Sequence, residues 1–209
     1  MNKRSVRGDM LRRALAQEAA RIMSEHGIDD YGFAKRKAAE RLGVTDQAIL
    51  PRNTEIEEAL AEHQRLFEAD THDEGLAGMR RTALEAMRVL EPFEPRLVGP
   101  VLAGTATPHA EISLHVFADT PESVAFRLMD NGIPHRIVER RVKVQRDESA
   151  QLPAIRFVAG SHEIDATVFP RDGIRQAPMS PVDGRPMRRA SAAEVAALLD
   201  GDAAGFSRA

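Results

Sequence analysis

Glu111 and Ser113 stand two residues apart in HAEISLHVF, residues 109–117, and Asp165 stands in HEIDATVF, residues 162–169. A strand turns successive side chains to opposite faces, so this spacing puts Glu111 and Ser113 on one face, with His109 and His115 beside them. Oxygen ligands gathered in this way hold hard cations such as Mg2+. Such a cation neutralises the charge that builds on phosphate oxygens during phosphoryl or nucleotidyl transfer. Ahead of the strand, Gly99 and Gly104 in GPVLAGTATPHA give the backbone freedom of a tight turn, with Thr105 next in line. A histidine–carboxylate metal site on the strand is the poorer arrangement. Glu111 and His115 would lie about 13–14 Å apart along it, too far for one ion. Glu111 paired with Asp165 from a neighbouring strand is the better ligand set. The same residues also fit a plain turn followed by an ordinary antiparallel strand with one polar face.

Other chemistries are excluded or thinly supported. The chain has no cysteine, which removes disulfides, thiolate zinc sites, iron–sulfur clusters and a Cys nucleophile. It has no Gly-x-Ser-x-Gly run and no Gly-rich loop ending in Gly-Lys-Ser/Thr, so neither a hydrolase elbow nor a P-loop ligase is indicated. Arg185, Arg188 and Arg189 in the turn-rich PVDGRPMRRAS could grip a triphosphate or an RNA backbone. Arg140, Arg141 and Lys143 could do the same from a sheet edge, but Arg140 and Arg141 read sooner as charges that protect that edge. Lys3, Arg4, Arg7, Arg12, Arg13 and Arg21 make the first segment basic, which reads as a solvated helix face sooner than as a polyanion-binding arm. Tyr31 with Lys35, Arg36 and Lys37 reads likewise.

The elements that must position these groups follow from periodicity. Residues 10–26 form an amphipathic helix stopped by Gly27, and residues 31–42 a second one stopped by Gly43. Thr54 with Glu57 predicts a capping box opening a helix to about residue 69. A further helix spans about 73–91 and ends at Pro92. From residue 96 the period changes. The apolar run 96–103 precedes a turn, and a half-buried strand covers 109–117. Thr120 and Pro121 begin a helix whose apolar positions are Val124, Phe126, Leu128 and Met129. Strands follow at about 135–145, 154–159 and 162–169, the last two joined by a hairpin turn at Ala159-Gly160-Ser161. Ser191 with Glu194 predicts a second capping box and a short helix, fraying over 201–209.

The order Gly99-Pro100, Gly104, Glu111-x-Ser113 and a later strand bearing Asp165 resembles the signature of the polymerase-β-type nucleotidyltransferase superfamily. There a Gly-Ser pair and a further Gly precede a strand carrying Asp-x-Asp, and a third carboxylate comes from a later strand. The whole chain also resembles a bacterial family of nucleotidyltransferase-fold proteins. The resemblance implies a Mg2+-dependent site with Glu111 and Asp165 as catalytic residues and metal ligands. It implies that Gly99, Gly104, Thr105, Ser113, Arg185 and Arg188 face a nucleotide, and that an RNA, protein or small-molecule acceptor takes the nucleotidyl group from an NTP. Three positions depart from the signature. Pro100 replaces Ser, Glu111 is one methylene longer than Asp, and Ser113 is neutral where the family has its bridging carboxylate.

Composition bounds the rest. The chain has 209 residues, 43% hydrophobic, with eight Phe, one Tyr and no Trp, enough for an aliphatic core without staples. A net charge of −3 argues against bulk capture of nucleic acid, and no run approaches a membrane span or a signal peptide. The expectation is a cytoplasmic α+β protein: helices over 1–92, then a mixed or antiparallel nucleotidyltransferase-like sheet with a crossover helix over 93–209. Two functions follow. One is Mg2+-dependent nucleotidyl transfer. The other is a catalytically decayed relative that binds a nucleotide, RNA or a protein partner.

Overall fold

The computed structural model describes residues 3–28, 30–67, 69–145 and 148–206, with side chains omitted at 3–7, 69–70 and 202–206. The chain divides into two compact units, residues 1–72 with 107–110, and residues 73–106 with 111–209. The first unit is helical. α1 (Lys3–His26) packs on α2 (Tyr31–Arg41) and α3 (Asn53–Phe67). Its core joins Leu15, Ala19, Ile22 and Met23 to Ala34, Ala38, Ile56 and Leu60. The alanines let the helices approach closely, and the larger side chains fill the remaining space. Gly27 ends α1 at a positive φ of 60°. A Cβ there would come within 2.9 Å of the Cβ of His109, so this position takes glycine for both conformation and space.

The expected capping box at Thr54 and Glu57 is displaced. Glu55 accepts from the backbone N–H of Arg52 instead, and Glu57 accepts from the hydroxyl of Tyr31. Of the basic first segment, Arg21 is held by Glu18 and Glu25, and Arg12 donates to the carbonyl of Ala48. The side chains of Lys3, Arg4 and Arg7 lie outside the described residues.

The second unit is α+β. α4 (Ala69–Val89) leads into β1 (Arg96–Val98), α5 (Gly99–Ala103) and β2 (Ile112–Phe117). Then come α6 (Pro121–Asp130), β3 (His135–Gln145), β4 (Glu148–Ala159), β5 (His162–Phe169) and α7 (Ala192–Phe206). The sheet is mixed, in the order β1-β2-β5-β4-β3. β2 and β5 run parallel and every other neighbouring pair is antiparallel. One face is apolar: Ile112, Leu114, Ile155, Phe157, Ile164 and Ala166 are all buried. Thr82 of α4 reaches His162 on this face at 3.2 Å. Arg127 of α6 donates to the carbonyl of Val89 at 2.9 Å, so the two helices lie on the same side.

Several expectations need correction. The run 96–103 is strand only to Val98, because Gly99, at a φ of 72°, turns the chain into the short helix α5. β2 begins at Ile112, so Glu111 immediately precedes it and His109 belongs to the helical unit. Its polar face is not solvated, since His115 is only 5% exposed. Phe126 and Met129 face solvent on α6 while Val124, Ala125 and Leu128 are buried. β4 starts at Glu148, because its first half pairs with β3 alone. The last helix continues to Phe206, and residues 207–209 lie outside the described residues.

The second capping box forms as expected. Glu194 accepts from both the backbone N–H and the hydroxyl of Ser191, each at 2.7 Å. Ser191→Ala removes one arm of this cap ahead of buried Val195, and should lower stability by about 1 kcal/mol in urea unfolding.

Candidate carboxylate site and its guanidinium partners

The face of the sheet opposite the helices carries the polar residues, and strand register aligns them. Val98 pairs with Ser113, Ser113 with Asp165, Asp165 with Arg156, and Arg156 with Arg136. Paired residues share a face, so Ser113, Asp165, Arg156 and Arg136 form one row across four strands. The row depends on the β4–β5 hairpin. Ala159 opposes His162, leaving Gly160 and Ser161 as the loop, and Arg156 therefore opposes Asp165. Gly99 lies at the same end of the sheet, where an added Cβ would stand 3.7 Å from the Cβ of Ser113.

Asp165 is completely buried. Its Oδ2 accepts from Nε of Arg156 at 2.9 Å and from Nη1 of Arg140 at 2.8 Å, while Oδ1 has no hydrogen-bond partner. A buried carboxylate without cations would be strongly penalised, and two guanidiniums answer that penalty. Arg156 also lies 3.4 Å from Oε1 of Glu111, and Arg136 holds Glu163 at 2.8 Å. Burial works against the charge on Arg156, but Asp165 and Glu111 together raise its pKa above the ordinary value. For Glu111, burial raises the pKa, Arg156 opposes this, and the charges of Asp165 and Glu163 add to it. Three acids therefore interleave with three arginines in a network that balances its own charge.

Of the residues expected in a nucleotide site, Gly99, Glu111, Ser113 and Asp165 come together here. Gly104 and Thr105 do not join them. Both backbone N–H groups donate to the carbonyl of Pro100, and Gly104 faces Arg80 and Leu76 of α4. Arg185 and Arg188 are exposed in the 176–190 loop, where Arg185 donates its backbone N–H to Asp183 and Arg188 lies near Glu194. Sequence reasoning missed Arg156 altogether and assigned Arg140 to edge protection. The hairpin turn was the available signal, because counting outward from Gly160-Ser161 pairs Arg156 with Asp165.

Residues fit for a Mg2+ centre would offer several carboxylate oxygens open to the ion. Here Asp165 Oδ2 already meets two guanidiniums, Glu111 Oε1 lies 3.4 Å from Arg156, and the second ligand position is a serine hydroxyl. Among the described residues, no group of three or more His, Cys, Asp and Glu side chains could hold a metal ion. The donor set does not fit a two-metal centre.

One row along the same face, His115 pairs with Arg96 and Thr167. Its Nδ1 accepts from Nε of Arg189 at 3.0 Å. The Arg189 guanidinium lies 5.0 Å from the ring centre of Phe117 and 5.1 Å from that of Phe169, and Nη1 donates to the carbonyl of Gly173. Burial first, then the charges of Arg189 and Arg140, push the His115 pKa down to about 3. Burial and the nearby charge of Arg96 draw Arg189 down to about 10. A neutral imidazole that accepts from a stacked guanidinium fastens the 176–190 loop to β2.

No protein-family model and no curated protein matches the chain. A solved structure described as the structural basis for the activity of a cytoplasmic RNA terminal U-transferase aligns at 20% identity. The alignment covers 55% of this chain and 30% of that one, with a TM-score of 0.29. This chain thus spans less than a third of that protein's length, and a likeness at that score bears no weight here. Among the described residues, no helix is long and apolar enough to cross a membrane.

The His115 latch makes stability depend on pH with a definite sign. Between about 3 and the ordinary 6.5 the unfolded chain binds a proton at this position and the folded chain does not, so stability rises with pH across that window. It is fully present above 6.5 and declines as pH falls toward 3. His115→Gln, which keeps an acceptor for Arg189, should flatten part of this decline, an effect on the order of a few kcal/mol. Thermal midpoints of both proteins at neutral pH and near pH 4.5 measure it. Equal slopes would show that His115 is not the titrating group.

Proposed function

We propose that this chain is a nucleotidyltransferase-fold protein that binds a phosphate-bearing ligand, an NTP or RNA, without performing metal-dependent nucleotidyl transfer. The observation that carries this reading is the pair of guanidiniums on Asp165 Oδ2. Arg156, joined to both Asp165 and Glu111, supplies the positive charge that a cation supplies in the family the sequence resembles. The strand order and the juxtaposition of Gly99, Ser113 and Asp165 support the family assignment.

Ligand binding then falls to the arginines on the solvent side of the row. Arg136 and Arg140 keep 64% and 40% of their side-chain surface exposed. Each offers a planar donor fork that matches a phosphate, in exchange for part of its pairing with Glu163 or Asp165. Ser113 adds a neutral hydroxyl. In this reading Glu111 and Asp165 position the arginines and activate no acceptor.

Thermal shifts with the four NTPs, in EDTA and in Mg2+, test the proposal. Equal stabilisation under both conditions is expected, reaching about 2.7 kcal/mol at one hundred times Kd, with no labelled nucleotide transferred. Arg136→Gln with Arg140→Gln should abolish the shift. A Mg2+-dependent shift, or transfer that Glu111→Gln and Asp165→Asn each abolish without lowering the thermal midpoint, would instead establish the metal-dependent enzyme. Absence of any shift and of any RNA binding in EDTA overturns the binding role.

A further inference from the structure

Arg136 and Arg140 stand four residues apart on β3, so their side chains leave the same face of the sheet. Each crosses β4 to reach an acid on β5. Arg136 meets Oε1 of Glu163 at 2.8 Å, and Arg140 meets Oδ2 of Asp165 at 2.8 Å. The two acids lie about 7 Å apart along their strand, whereas the two arginine Cα atoms lie about 13 Å apart. The guanidiniums therefore converge on one stretch of the polar face.

The two pairs differ in burial. Asp165 is sealed from solvent and shared with Arg156, so its charge must stay neutralised where it stands. Glu163 keeps 38% of its side-chain surface exposed, and Arg136 keeps 64%. Among the described residues, that single bond is the only one the Arg136 guanidinium makes. An exposed ion pair of this kind contributes little to stability, so a stronger acceptor can displace it. Glu163 thus fills, with a carboxylate of this chain, the donor fork that a phosphate would take.

Displacement sets a condition on the ligand. Glu111, Glu163 and Asp165 balance Arg136, Arg140 and Arg156, so the row holds no spare positive charge. An internal phosphodiester carries one negative charge, and placing it where one carboxylate stood gains no Coulomb energy. A terminal phosphate carries about −1.5 to −2 at pH 7 and offers three acceptor oxygens. It gains charge in the exchange, and it has oxygens enough for both forks.

We infer that Glu163 is an intrachain competitor seated in the phosphate position of Arg136, and that it sets a charge threshold for this site. A terminal phosphate, on a nucleotide or on a phosphorylated end, clears the threshold, and the internal backbone of RNA does not. This selection rests on the phosphate-binding role proposed above and chooses among its ligands. When the ligand enters, Glu163 gives up Arg136 to it, while Asp165 keeps Arg156.

Calorimetric titration of the full chain in EDTA at low salt tests this with three ligands and no variant. They are ATP, a short 5′-phosphorylated oligoribonucleotide, and the 5′-hydroxyl form of the same sequence. ATP and the phosphorylated strand should bind at least about tenfold tighter than the hydroxyl strand. Glu163→Gln removes the competing charge and should tighten ATP by about two- to fivefold. The hydroxyl strand, now offered a free fork, should bind this variant measurably. The thermal midpoint of the unliganded variant should stay nearly unchanged, because the pair is exposed. Equal affinity of the wild-type protein for ATP and the hydroxyl strand overturns the inference, as does an ATP affinity that Glu163→Gln leaves unchanged or weakens. Either result, with ATP still bound, removes the threshold and leaves the phosphate-binding role standing. If neither protein binds any of the three ligands, the binding role falls and the threshold with it.

Discussion

A carboxylate with no exposure to solvent must be neutralised, and that requirement organises the polar face of this protein. Asp165 sits on β5, flanked by β2 and β4. From β4 comes Arg156, and from β3, one strand further, Arg140 reaches the same oxygen. Removing both partners would leave charge stranded in the interior, a loss of several kcal/mol. The sheet is therefore fastened by charge on one face and by apolar packing on the other. Arg156 links Asp165 to Glu111, and Arg136 beside it holds Glu163, so positive and negative charges alternate along the row. The neutralising cations are side chains of the two strands on one side of β5.

The second organising contact lies one row along the same face. Arg189 lies over the rings of Phe117 and Phe169, donates to His115, and closes on the carbonyls of Gly173 and Ile174. Burial keeps the imidazole neutral, and neutrality is what allows it to accept a hydrogen bond from a guanidinium. The latch and the Met179 contact to Lys143 together hold the 176–190 loop. That loop covers the far part of the β3 edge, and among the described residues no main-chain bond covers the part nearer His135. The charged row, the latch and the partly open edge are therefore consequences of one sheet order.

Much of this architecture is legible in the residues. Helical periodicity located the early helices, the change of period at residue 96 marked the sheet, and Ser191 with Glu194 marked the last cap. Where reading failed, a long-range contact had overridden a local signal. Glu57 satisfies the spacing of a capping box but bonds Tyr31 across the helical unit. His115 alternates like a solvent-facing residue, yet a loop more than seventy residues away buries it. Phe126 and Met129 look like core positions by type, but α6 turns Val124, Ala125 and Leu128 to the core and leaves these two outward.

The candidate site divides along the same line. By itself the sequence determined which residues are available: Gly99, Glu111, Ser113 and Asp165 in order, no cysteine, and a neutral side chain where the family signature has an acid. It also contained, in the two-residue loop Gly160-Ser161, the register that pairs Arg156 with Asp165, because a hairpin is local and its pairing follows by counting. Only the tertiary structure decided that β5 lies parallel to β2, that Asp165 is sealed from water, and that Arg140 crosses a strand to reach it. Parallel neighbours are joined by long connections, and no local pattern encodes their register. Burial, which decides whether a carboxylate awaits a cation or already has one, is a property of the assembled sheet alone.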